Sequence, residues 1–302
     1  MKQTAWRTLR DRGVALLIIT AITGIPALAG TTDNLVGIPL NKKIPVVLGD
    51  DLGFGKKYRP SMPDNFQPWG AQKVARKDGF PVRLGDYSIQ FETREGVCGW
   101  DGKYWSDCKK GRNRHELSSE IYGWDPWNND RWYALSLYVP EDFRVAKSMG
   151  TSIFQFWSGG KDSWHFKYRD DRGLYMRFEQ HEMDKTFFAP TEAKGRWHDY
   201  ILHVRHSMKD DGTMQVWADG KLAYDYKGRT ALGDRRSKKP YFKFGIYNTA
   251  MGADGAPIDG GGFGNGKGMP DLVLYFDEIR TGATCTSLKL ADLGYDCAGL
   301  ID

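Results

Sequence analysis

The run Tyr241-Phe242-Lys243-Phe244-Gly245-Ile246-Tyr247-Asn248 sorts its side chains with a period of two. Successive strand residues face opposite ways, so Phe242, Phe244 and Ile246 share one face of a strand while Tyr241, Lys243, Gly245 and Tyr247 share the other. A helical period of 3.6 would scatter both sets around a cylinder and leave neither a core face nor a polar one. The apolar set is suited to a core. The other set, two phenols and an ammonium in line with a glycine making room between them, is suited to a floor for a polar ligand.

The same period recurs along the chain, and no long segment keeps a helical one. Tyr87-Ser88-Ile89-Gln90-Phe91-Glu92 alternates within 82–95, and the run from Trp132 to Pro140 does the same. Further strands are predicted at 152–157, 164–169, 174–180, 197–206 and 272–279. Asp219-Gly220, between Met214–Ala218 and Lys221–Tyr226, suits the positive φ angles of a two-residue hairpin turn. Many antiparallel strands without alternating helices indicate an all-β sandwich of two antiparallel sheets, and long curved sheets of this kind suit a jelly roll with a concave groove. Residues 30–72 are Pro-rich and read as an irregular N-terminal extension, leaving one domain over 73–302. The Gly-rich stretch from Gly252 to Gly268 directly follows the Tyr247 strand and reads as a mobile loop over one end of the groove.

The first residues indicate a compartment. Lys2, Arg7, Arg10 and Arg12 precede an apolar core from Val14 to Ile25 that is too short to span a bilayer, and Ala27-Leu28-Ala29 has the pattern of a cleavage site. Residues 1–29 therefore read as a signal for a secreted or periplasmic protein, with no membrane segment after cleavage. Removing them takes away four basic residues and one acidic residue, so the formal charge of +5 becomes 39 Lys and Arg against 37 Asp and Glu, or +2. With no basic cluster and no nucleic-acid motif, a nucleic-acid partner is not supported.

Four cysteines, Cys98, Cys108, Cys285 and Cys297, fit an oxidising compartment. They allow three pairings, of which Cys98 with Cys108 and Cys285 with Cys297 is the simplest, each pair being close in the chain. A zinc site is the rival reading, but neither pair has the C-x-x-C spacing and no histidine cluster accompanies them.

The Tyr241–Asn248 octet resembles the Y-F-K-x-G-x-Y-(Q/N) signature of the jelly-roll polysaccharide lyases, the superfamily of glucuronan, heparin and alginate lyases. Arg114-His115-Glu116-Leu117 matches a second element, R-x-E-L, and Gln155-Phe156-Trp157 matches a third, Q-(I/F)-H, in part. Their order along the chain is the family's order. The resemblance implies a lyase that acts on an anionic, uronate-containing polysaccharide by β-elimination and requires no cofactor; a monomer is expected. It puts the catalytic acid at Tyr247, with Lys243 beside it to favour the phenolate, and carboxylate neutralisation at Gln155 and Arg114. Glu116 would orient Arg114 and border the substrate.

The base is where the sequence departs from the pattern, since Trp157 stands in the usual histidine's place and cannot take a proton. His115 is the first candidate to replace it, although strict alternation would turn it away from Arg114 unless a bulge intervenes. Otherwise Tyr247 serves as base as well as acid. His165 and His203 are left outside the site as structural histidines. Trp157 and Tyr241 are substrate-stacking candidates, with Trp164, Trp124 and Trp127 as extensions of the platform. No metal is assigned to the catalytic site, although Asp125 to Asp130 carries oxygen ligands suited to a structural calcium. A non-catalytic glycan-binding jelly roll that has lost its base is the alternative function. A hydrolase is disfavoured by the lack of an E-x-D-x-x-E run.

Overall fold

Aromatic and aliphatic side chains from alternate strand positions build a core between two sheets in this computed structural model. It describes residues 44–45, 57–62, 66–100, 104–107, 112–119, 127–145, 151–158, 161–178, 183–231, 240–248 and 271–301. The strands in chain order are β1 (Ile44–Pro45), β2 (Lys57–Pro60), β3 (Ala71–Ala75), β4 (Tyr87–Thr93), β5 (Asn113–Ser118), β6 (Asp130–Tyr138), β7 (Thr151–Ser158), β8 (Lys161–Arg169), β9 (Gly173–Phe178), β10 (Met183–Phe188), β11 (Trp197–Arg205), β12 (Gly212–Ala218), β13 (Lys221–Gly228), β14 (Tyr241–Asn248) and β15 (Leu272–Gly282). One sheet runs β1-β2-β5-β14-β7-β8-β9-β10 and the other β13-β12-β11-β6-β15-β4-β3. The pairings are antiparallel, so the expected all-β jelly-roll sandwich is the fold.

The alternation read in the sequence decides which side chains enter the core. Phe242, Phe244 and Ile246 of β14 meet Tyr133, Leu135 and Leu137 of β6 and Tyr200, Leu202 and Val204 of β11 in one cluster. The seven-stranded sheet is apolar on its outer face as well. Trp132, Ala134, Ile201 and Trp217 lie there beneath Leu288, Leu290, Leu293 and Leu300 of the C-terminal tail, which the Cys285–Cys297 disulfide closes into a short loop. Cys98 is also disulfide-bonded, and its expected partner Cys108 lies outside the described residues. The β12–β13 hairpin turns on Asp219 at φ 46° and Gly220 at φ 77°, the left-handed pair expected of Asp-Gly.

The stretch read as an irregular extension contributes more than expected. β2 adds to β5, Ala71 starts β3, and Tyr58 and Phe66 are part of the core. Short strands such as β2, with Pro60 at its end, carry too little alternation to be recognised from sequence. The patterning does not reveal β10 either. Residues 1–29 and the Gly-rich loop at 252–268 lie outside the described residues.

Two of the register shifts in the eight-stranded sheet set the spacing of its central rows. β14 shifts register against β7 between Phe244 and Tyr247, and β7 shifts against β8 between Ser152 and Phe154. The rows Lys243–Gln155–His165 and Tyr247–Ser152–Lys167 are thus four residues apart on β14, three on β7 and two on β8. Bulges of this kind bend a strand and sharpen its twist.

Gly245 sits in the first irregularity at φ 136°, and a Cβ there would come within 2.4 Å of the His115 carbonyl oxygen and 2.9 Å of the Phe91 ring. The glycine accommodates the backbone of β5 rather than merely clearing space for a ligand. Gly245→Ala should therefore lower stability by about 1–3 kcal/mol, measured as a reduced denaturant midpoint. A midpoint equal to that of the parent chain would contradict the left-handed conformation.

Candidate active site

Directly opposed residues of an antiparallel pair project to the same side. β14 lies between β5 and β7, with Tyr247 opposite Arg114 and Ser152, Lys243 opposite Gln155, Gly245 opposite Glu116, and Tyr241 opposite Trp157. Three segments far apart in the chain thus bring Arg114, Glu116, Gln155, Trp157, Tyr241, Lys243 and Tyr247 to the outer face of one sheet.

Glu116 joins most of them. It is only 2 % exposed, and a buried carboxylate must be surrounded by donors. One of its oxygens accepts a hydrogen bond from Gln155 Nε2. The other has Arg114 Nη1 at 3.4 Å and Lys243 Nζ at 3.7 Å. The Gln155 amide is oriented by this contact, because its own oxygen could not face the carboxylate, and that oxygen has no hydrogen-bond partner among the described residues.

Arg114 is held from the other side by Asp107, which was not anticipated from the sequence. Nε and Nη2 donate to the two Asp107 carboxylate oxygens at 2.6 and 2.7 Å, and Asp107 is fully buried. Burial alone would weaken the guanidinium charge, but Asp107, Tyr247 and Glu116 outweigh it and raise the Arg114 pKa further. The clamped guanidinium lies 3.9 Å from the centre of the Tyr247 ring. With its fork committed to Asp107, Arg114 is placed to act on Tyr247 rather than to grip a substrate carboxylate.

Arg112, likewise unanticipated, donates from Nη1 to the Tyr247 hydroxyl oxygen at 2.5 Å. Its guanidinium also lies 5.2 Å from the Trp105 ring, and the Trp105 indole donates to Asp107 at 2.9 Å. Lys243 was expected to supply positive charge to Tyr247. It contacts Glu116 instead, and two arginines occupy the place foreseen for it.

His115 is not brought to this face. Strand alternation holds through β5, and His115 points away from Arg114 toward β4 and residues 66–70. Its Nδ1 donates to the Glu92 carbonyl at 2.6 Å, its Nε2 accepts from the Gln67 N–H at 3.3 Å, and Phe66 and Trp69 pack edge-on against the ring. Burial foremost, with a contribution from Arg94, lowers its pKa to about 4 despite the Glu92 bond. The bulge that would have turned it toward the site lies between β14 and β7, not in β5.

His165, set aside as structural, is on the site's face. It is directly opposite Gln155, and its Nδ1 is 3.1 Å from Ser152 Oγ. His203 stacks on Trp132 in the other sheet. Trp164 is no platform residue, being fully buried against Phe178. Trp157 and Tyr241 form an aromatic pair 5.0 Å apart. Trp127 lines a pocket of about 280 Å³ with Asn128, Ser207 and Lys209, and Trp124 is outside the described residues. Of the proposed calcium segment only Trp127 to Asp130 is described, and no cluster of three candidate metal ligands occurs among the described residues.

A family model described as polysaccharide lyase matches residues 61–280. No curated protein matches the chain at a significant level. Among solved structures, the chain is similar to an endo-β-1,4-glucuronan lyase from the fungus Trichoderma reesei, with 16% identity over 80% of this chain and 96% of that one and a TM-score of 0.53. It is also similar to the alginate lyase AlgAT5 of polysaccharide lyase family 7, at 11% identity over 78% and 97% and a TM-score of 0.45.

The environment of His115 predicts a pH dependence. A histidine that binds its proton less readily folded than unfolded destabilises the fold as pH falls from about 6.5 toward about 4. It contributes up to ~1.4 kcal/mol per pH unit within that window. Denaturation of His115→Gln should show a shallower loss of stability over this range than the parent chain. Equal slopes would contradict the burial of a neutral imidazole.

Proposed function

Because the chain belongs to the polysaccharide lyase family, we propose that it is an extracytoplasmic enzyme that cleaves a uronate-containing polysaccharide by β-elimination, acting as a monomer. The observation that carries this reading is the phenol of Tyr247, bonded to Arg112 and covered by Arg114, on the same sheet face as the oriented amide of Gln155. The signal-like N-terminus and the disulfides support export.

β-Elimination must neutralise the uronate carboxylate, remove the C5 proton and protonate the departing C4 oxygen. Gln155 and Lys243 are the groups for the first task, an amide N–H and an ammonium beside each other on opposed strands. Glu116 holds both in place, and its own charge is balanced by Arg114 and Lys243, so it need not repel an anionic sugar. Tyr247 is the group for protonating the leaving oxygen. Two guanidiniums against it stabilise the phenolate left behind, which strengthens it as an acid. Trp157 and Tyr241 offer a surface for an adjoining sugar ring. Residues 73–302 with β2 and β3 would form the catalytic unit, which needs no cofactor for these steps.

The glycan-binding alternative rests on Trp157, which replaces the histidine of the family pattern. Incubation with glucuronan, alginate and heparin separates the readings. The lyase reading expects ultraviolet absorbance from a new C4–C5 double bond on at least one polymer. Binding with no product would favour the alternative, and new reducing ends without the double bond would favour hydrolysis. Tyr247→Phe should remove turnover and leave the melting temperature unchanged, and a fully active variant would refute its role. Loss of one charge-stabilising donor in Arg112→Met should reduce kcat by about 10²–10³-fold, and an unchanged kcat would detach Arg112 from the chemistry.

A further inference from the structure

We propose that His165 is the general base that removes the C5 proton, an assignment that rests on the lyase reading. The other candidates on or near the site are unsuited to the task. Trp157 has no basic nitrogen, and His115 is walled in on the other side of β5 with both ring nitrogens engaged. Lys243 is engaged with Glu116, its Nζ 3.7 Å from the carboxylate. Tyr247 is held between two guanidiniums, an arrangement that favours giving up a proton and weakens the phenolate as an acceptor.

His165 fills the gap from the neighbouring strand. It is the Cα partner of Gln155, whose amide is assigned to the carboxylate attached to C5. Its Nδ1 contacts Ser152 Oγ, and Ser152 is in turn the Cα partner of Tyr247. The imidazole is therefore tied to the residue of β7 that pairs with Tyr247. The register shift between β7 and β8 brings the two rows to within two residues of each other on β8. At 7 % exposure, His165 is packed but not sealed. Its neighbours on the same face are Lys167 on its own strand, Gln155 and Ser152 on β7, and Arg177 opposite it on β9. Arg177 is in turn paired with Asp184 of β10.

The step balances without a co-reactant. The imidazole takes the C5 proton, and the C5–H electron pair becomes the C4–C5 double bond. The C4–O bond breaks toward oxygen, and Tyr247 protonates that oxygen. Proton return from the imidazolium to the phenolate, directly or through solvent, resets the site.

The test uses the full chain and whichever polymer yields the unsaturated product. His165→Asn should keep KM within about twofold while lowering kcat by about 10²–10⁴-fold, the usual contribution of a general base. The acidic limb of the pH–rate profile should disappear from the residual activity, and free imidazole should restore part of the rate to His165→Ala. A merely structural histidine would show neither effect. A folded His165→Asn with parent kcat and an unchanged pH profile would overturn the assignment, leave the lyase reading standing and make Tyr247 the sole proton carrier. Should the variants not fold, acylation of the parent enzyme by diethyl pyrocarbonate decides. Activity should fall in step with His165 modification and be protected by polymer, whereas full modification with retained turnover would refute the proposal. If the parent enzyme makes no double bond on any polymer, both readings fail together.

Discussion

A carboxylate removed from water must be surrounded by donors or it will not stay charged, and the buried Glu116 satisfies that demand with Gln155, Lys243 and Arg114. The demand turns three strands into one site. It orients an amide from β7, an ammonium from β14 and a guanidinium from β5. The second carboxylate, Asp107, grips the far side of the same guanidinium. Arg114 is thereby fixed at both ends, and its plane becomes a rigid lid over the Tyr247 ring. Losing one partner of such a buried pair strands the other, at a typical cost of about 3–5 kcal/mol, so the electrostatics of the site and the stability of the sheet are coupled.

The sheet is equally specific about geometry. Between Lys243 and Tyr247 the middle of the site holds Gly245, whose left-handed backbone lets β5 approach closely. Register shifts on both sides of β7 then gather side chains that uniform pairing would hold further apart. An ideal, unbulged sheet carrying the same residues would spread the amide, the phenol and the imidazole along parallel rows. The irregularities determine the spacing as much as the residue types do.

Much of this was legible in the sequence, and for a physical reason. Strand alternation is local, so the inward set of β14, the Asp219-Gly220 turn and the majority of the strands could be read directly. The octet and R-H-E-L located residues that do converge. Pairing between distant strands is not local, which is why His165 could not be placed next to Gln155. Arg112 and Asp107 precede β5 in non-strand segments, where no periodicity reveals direction. His115, expected as the base, instead obeys the strict alternation of β5 and faces inward, away from Arg114.

The pairing of β7 with β8 has a consequence for how such sites change over time. Opposed and diagonal positions on adjacent strands are nearly equivalent addresses, since long side chains from either can reach the same space above the sheet. A working group can therefore be lost from one strand and regained on its neighbour without disturbing the scaffold, in a single substitution and with no insertion. Comparing such proteins column by column would record the first event as a missing residue and overlook the second, although in three dimensions the equipment has only moved house.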